Sequence, residues 1–132
     1  MWLYKDLPFD EEKIGDNVGF VYIITNLSNG KKYIGKKLFT KSKTYQRNKK
    51  KRKTRVSSDW QTYTGSNANL NEDIKNTAPE LEKRILHLCS TKGWLSFYET
   101  LEILQSRALQ DETYYNEWCS IKLHRKHLVG NK

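Results

Sequence analysis

The chain has 132 residues, enough for one domain with its own core and too few for two of ordinary size. Apolar residues make up 36 % and aromatics 12 %, so the core must be built from few, large side chains. Lys and Arg number 24 against 15 Asp and Glu, a formal charge of +9 that argues for a polyanionic partner, nucleic acid before an anionic membrane. No apolar run approaches the ~20 residues that span a bilayer, the opening stretch lacks a secretory-signal pattern, and Cys89 and Cys119 are too few for a disulfide framework. The expectation is a cytoplasmic protein with reduced thiols, no membrane association and no small-molecule cofactor.

Residues 1–15 read as an N-terminal extension of a single domain spanning 1–132. Val18–Thr25 (VGFVYIIT) is apolar on both faces, as expected of a strand covered from both sides. Asn29-Gly30 follows, the strongest short hairpin signal because both residues accept positive φ. Lys31–Lys36 then reads as the returning strand. From Lys31 to Ser58 there is no acidic residue, and 13 of the 24 basic residues lie there. Unpaired like charges repel, so residues 41–58 read as a basic loop, with Gln46–Arg55 mobile or ordered by a ligand. Its position between structured segments and the interleaved Tyr45 favour a nucleic-acid contact over a solvated tail. Asn69 or Asn71 is the expected cap of a short helix to about Lys75, ended before Pro79. Leu81–Cys89 fits either a helix or a strand by spacing and is read as a strand. Thr91–Leu109 carries Trp94, Phe97, Tyr98, Leu101, Leu104, Arg107 and Ala108 at spacings of three and four, which is one face of a helix. A turn or short helix over 111–116 and a weakly patterned tail over 121–128 complete the chain. The fold class is α/β in the α+β sense: a small, three-stranded antiparallel sheet flanked by helices.

Tyr22 and Tyr33 fall on the two hairpin strands. A two- or four-residue loop puts both on one face of the sheet, and a three- or five-residue loop splits them. With a four-residue loop, Leu27–Gly30, Tyr33 stands opposite Ile24 and Tyr22 is its diagonal neighbour.

The run Gly19-Phe20-Val21-Tyr22, then Asn29-Gly30-Lys31-Lys32-Tyr33-Ile34-Gly35, resembles the signature of the GIY-YIG endonuclease superfamily. The first triplet stands as Phe20-Val21-Tyr22 and the second is intact. Ser58-Asp59-Trp60, Tyr63-Thr64-Gly65-Ser66, Tyr98-Glu99 and Tyr114-Tyr115-Asn116 resemble its phage-type, Seg-like branch, from about residue 16 onward. The resemblance implies a metal-dependent DNA endonuclease leaving 5′-phosphate and 3′-hydroxyl ends. It implies one divalent cation, Mg²⁺ with Mn²⁺ as a substitute, held by Glu99. Tyr22 and Tyr33 would assist the attacking water, and Asn116 would be a structural asparagine near the site. The implied phosphate-stabilising arginine has no counterpart at its commonest position, which is Lys43 here. Arg55 is the expected alternative, with Arg47 and Arg52 behind it. Lys36, Lys43, Arg47, Arg52 and Asn116 are the expected DNA contacts.

The residue types suit the chemistry. Mg²⁺ prefers oxygen ligands and keeps several waters, so one carboxylate plus substrate phosphate suffices. Arginine offers a planar fork that lysine lacks. Tyrosine is harder, since only about one phenol in a thousand is ionised at neutral pH. The basic loop and the cation have the sign that lowers its pKa, while a neutral phenol that positions water is equally compatible. Cys119, His124 and His127 match no standard zinc spacing. DNA is the expected partner, recognised by the domain's own loops, a homodimer or another protein. A catalytically silent DNA- or RNA-binding basic module is the rival reading.

Overall fold

The computed structural model describes residues 1–119 and 122–128. Its elements are β1 (Trp2–Tyr4), β2 (Leu7–Pro8), β3 (Gly19–Asn26), β4 (Lys32–Leu38), β5 (Thr40–Arg47), β6 (Lys50–Ser57), α1 (Ala68–Thr77), β7 (Leu81–Cys89) and α2 (Lys92–Gln105). Five strands form one sheet in the order β2-β1-β7-β3-β4, and β5 and β6 form a separate two-stranded ribbon. The three-stranded sheet read from the sequence is therefore the β4-β3-β7 part of a larger one. The expected extension over 1–15 supplies the rest: β1 pairs parallel with β7, Trp2 opposite Lys83, and β2 folds back on β1. Trp2 is 2 % exposed and its indole N–H donates to the Trp60 carbonyl at 2.7 Å, so this segment is built into the core.

The β3–β4 hairpin has the four-residue loop. Thr25 pairs with Lys32 and Ile24 with Tyr33, and Gly30 takes φ +76° to close the turn. β3 is buried on both faces, as its unbroken apolar run requires. Phe20, Tyr22 and Ile24 face a layer containing Trp2, Trp60, Leu70 of α1 and Tyr115. Val21 faces the opposite layer, where α2 contributes Trp94, Leu95 and Ile103. Full burial of Leu95 or Ile103 contributes roughly 1.5–3 kcal/mol each. α2 is capped by Thr91, whose hydroxyl accepts from the Trp94 N–H, and ends four residues before the expected Leu109. α1 is capped by Asn67, two residues ahead of Asn69.

The basic segment is a second hairpin and not a loop. All eight residue pairs from Thr40–Ser57 to Arg47–Lys50 are in register around a two-residue turn. Asn48 and Lys49 both take positive φ, 53° and 62°, as a type I′ turn requires. The outer edge of β4 is covered by the 113–116 segment. The Lys32 N–H donates to the Thr113 carbonyl, the Tyr115 N–H donates to Lys32, and the Asn116 amide takes the Ile34 backbone. Among the described residues no helix is long and apolar enough to cross a membrane.

Candidate active site

Strand register brings the two motif tyrosines together on one face of the sheet, with ring centroids 6.2 Å apart. The β3–β7 register steps between Val21 and Tyr22, a bulge of the kind that re-aims a side chain. Tyr22 is 1 % exposed and packed by Trp2, Phe20 and Tyr63. Two glycines make room for it. A Cβ at Gly35 would overlap the Tyr22 hydroxyl and touch the Tyr33 ring at 3.0 Å. A Cβ at Gly65, which takes φ +87°, would meet the same ring at 3.0 Å. The motif glycine after Ile34 is thus a space requirement of the two phenols.

Tyr33 is only partly buried. It lines a hollow of about 320 Å³ together with Lys36, Ser66, Glu99, Asn116 and Trp118. Its hydroxyl lies 3.4 Å from the Ser66 hydroxyl. Glu99 enters this hollow from the other layer. α2 packs against the face of β4 that carries Ile34 and Lys36, whereas Tyr33 and Gly35 belong to the opposite face. Because β4 is the edge strand, a carboxylate and a phenol from opposite faces meet around its rim.

The Lys36 ammonium donates to the Ser96 hydroxyl at 2.9 Å and stands 4.0 Å from the Glu99 carboxylate. Burial pushes Glu99 above the usual carboxylate range, and Lys36 pulls it partly back. Burial likewise pushes Tyr22 well above the ordinary phenol value, reinforced by Tyr33, Tyr63 and the negative Glu99. Tyr33 also moves up, through burial and Glu99, with the Ser66 hydrogen bond opposing. The expected lowering by the basic segment is absent, because that segment stands away as a ribbon and the charge beside the phenols is a carboxylate.

The ribbon also decides where the arginines lie. Arg55 donates to the Thr40 carbonyl at 2.8 Å, to the Thr40 hydroxyl, and to the Ser42 hydroxyl at 2.9 Å. It borders a basin of about 550 Å³ at the ribbon's root, beside Lys37, Lys41 and Lys92, and does not line the hollow holding Tyr33 and Glu99. Lys36 borders both spaces. Arg47 and Arg52 lie at the far end with Tyr45, and Lys43 is midway, exposed. Asn116, expected as a DNA contact, is 8 % exposed with both ends of its amide on the Ile34 backbone, at 3.0 and 2.9 Å. It clamps the strand bearing Tyr33.

Among the described residues no three His, Cys, Asp or Glu side chains cluster as metal ligands. Glu99 and the exposed Glu117, which accepts from Asn69 at 2.8 Å, both border the hollow beside the Tyr33 and Ser66 hydroxyls. One or two carboxylates among oxygen donors fit Mg²⁺, which takes its other ligands from water and phosphate. Tyr63 and Lys37 escaped the sequence reading. The Lys37 ammonium sits 3.9 Å from the Tyr63 ring centroid and pairs with Asp59 at 2.7 Å. The Tyr63-Thr64-Gly65-Ser66 run was a visible signal, but it carried no role for Tyr63.

Residues 2–119 match the family model described as "Putative endonuclease segE, GIY-YIG domain". No curated protein and no solved structure gives a significant match.

Proposed function

The chain belongs to the GIY-YIG endonuclease family, in its SegE-like branch, and from that premise we propose that it is a metal-dependent DNA endonuclease hydrolysing phosphodiester bonds at the rim of β4. The observation carrying this is that Tyr33 and Glu99, from opposite faces of the sheet, border one solvent-open hollow with Lys36 between them.

Glu99, with Glu117 or the Tyr33 and Ser66 oxygens nearby, would hold Mg²⁺. When bound, the ion would supply Lewis-acid stabilisation of the phosphate and help for the leaving oxygen. The remaining work falls to the chain. Tyr33 stays protonated at neutral pH, since burial and Glu99 both disfavour the phenolate. Its oxygen can accept a hydrogen bond from the attacking water and so orient it, 3.4 Å from the Ser66 hydroxyl, while the proton the water loses passes to solvent. Tyr22 reaches no solvent and acts as the packed support that fixes the Tyr33 ring. Lys36 neutralises a non-bridging oxygen, the part assigned to Arg55 from the sequence; Arg55 holds the ribbon's root. Lys43, Arg47 and Arg52 add charge for the DNA backbone.

Incubating supercoiled plasmid with the protein and Mg²⁺, with and without EDTA, tests the proposal. Nicked or linear product that EDTA abolishes, and that Glu99→Gln does not form although it still binds DNA, is the expected result. A second reading is a catalytically silent DNA-binding module. It is favoured by the lack of any arginine among the described residues lining the hollow. Absence of cutting by the wild type with either Mg²⁺ or Mn²⁺ selects it.

A further inference from the structure

We propose that the β5–β6 ribbon enters the major groove of duplex DNA, with the face bearing Tyr45, Arg47 and Arg52 against the base edges, and so gives the enzyme its site preference. This rests on DNA being the substrate.

Directly opposed residues in a hairpin share a face. Lys41/Val56, Lys43/Thr54, Tyr45/Arg52 and Arg47/Lys50 form one face; Thr40/Ser57, Ser42/Arg55, Thr44/Lys53 and Gln46/Lys51 form the other. Nearly every residue on both is exposed, so neither face is claimed by the body of the domain. A two-stranded hairpin with no apolar face is marginal alone. Nine Lys and Arg from Lys41 to Arg55, with no acid among them, weaken it further. A polyanion relieves that repulsion.

The two faces differ in what they offer. The only arginine of the second face, Arg55, is tied to Thr40 and Ser42. On the first face, Arg47 and Arg52 border a recess of about 300 Å³ with Tyr45, Asn48 and Lys50, and no described carboxylate pairs with either guanidinium. Guanidinium forks match guanine O6 and N7, and a Tyr ring offers apolar surface to a thymine methyl. Eight residues of strand extend ~26 Å, and a two-stranded ribbon fits the ~12 Å groove of B-form DNA. The basin at the ribbon's root is lined by Lys37, Lys41 and Lys92, and Lys36 borders both it and the hollow of Tyr33 and Glu99. A phosphate backbone running from the ribbon toward Glu99 would pass along these lysines.

The full chain carrying Glu99→Gln keeps duplex probes intact. It is to be selected on a randomised duplex DNA pool, and the enriched duplex probed by methylation of guanine N7. Two further pairs in that background remove equal charge from opposite faces: Arg47→Ala with Arg52→Ala, and Lys51→Ala with Lys53→Ala. Circular dichroism matching the parent shows that both are folded. The expected result is a preferred sequence whose N7 methylation blocks binding. The arginine pair lowers affinity for it by about tenfold or more and erases the interference. The lysine pair reduces the salt dependence and leaves the interference pattern in place. Equal effects of the two pairs overturn the inference. So does equal competition by duplex RNA, whose major groove is too narrow for the ribbon. So does missing N7 interference beside a wild type that cuts plasmid, and that outcome leaves the endonuclease reading standing. Failure of the wild type to cut together with failure of Glu99→Gln to bind duplex DNA overturns both.

Discussion

Replacing Asn116 by Ala separates a strand clamp from a DNA contact. The side chain donates to the Ile34 carbonyl at 2.9 Å and accepts from the Ile34 N–H at 3.0 Å, beside a residue that is 2 % exposed. Each such bond contributes a net ~0.5–1.5 kcal/mol, and each backbone group left dry and unpaired costs ~1–3 kcal/mol. Partial entry of water into the vacated space offsets some of that, so the expected loss is about 2–4 kcal/mol. That is a large share of the ~5–15 kcal/mol by which a domain is held folded. With a urea slope of about 2 kcal/mol/M, the unfolding midpoint falls by about 1–2 M. Asn116→Asp keeps the acceptor for the N–H but sets an oxygen against the Ile34 carbonyl, so at neutral pH it cannot restore the wild-type midpoint. Urea unfolding followed by tryptophan fluorescence gives the midpoint, and fluorescence anisotropy gives affinity for a duplex. An Asn116→Ala protein with the wild-type midpoint and weakened duplex binding would refute the clamp and restore the contact expected from the sequence.

Gly35→Ala places a methyl on the Tyr22 hydroxyl and the Tyr33 ring edge; the strain should cost ~1–3 kcal/mol, with plasmid cleavage falling at least tenfold as Tyr33 is displaced. For Glu99 the folded pKa lies above the unfolded value near 4.5, so the folded state binds the extra proton; its stabilisation is complete below that value and is lost as pH rises through the folded pKa. Glu99→Gln should therefore be at least as stable as wild type at neutral pH while losing cleavage, and calorimetry finding it less stable would contradict the burial argument. Lys36→Met removes the ammonium that lowers the Glu99 pKa, so the acid limb of cleavage should move to higher pH. An unmoved limb in the pH–rate profile would detach Lys36 from the carboxylate.

What could be read from the residues follows the range of the interactions. Asn29-Gly30 is a local instruction, and it set the register that pairs Ile24 with Tyr33. Leu81–Cys89 fits helix and strand alike by spacing and forms the strand, whereas the helix over 92–105 was legible from its own pattern. β1 was not, because a three-residue strand paired in parallel with a segment some eighty residues away leaves almost no local trace. The ribbon was missed because alternation of apolar and polar residues, the usual strand signal, is absent when both faces are wet. Its turn also uses Asn48-Lys49, where glycine would have marked it. That miss carried the arginine with it: position along the chain suggested Arg55, and only the ribbon's register shows its guanidinium turned onto Thr40 and Ser42. For Asn116 the resemblance implied a structural residue near the site as well as a DNA contact, and what was not legible was its partner, the Ile34 backbone.

The proposed cutting centre straddles a seam. Its phenol rises from one leaf of the protein and its carboxylate from the other, and only the thickness of a single outermost strand separates them. If cleavage occurs there, neither leaf holds a working half, and splaying of the helix from the sheet would separate the two groups before the chain unravels. On that reading hydrolytic competence would be tied to closure of the whole body, and a partly opened molecule would be expected to grip nucleic acid without severing it.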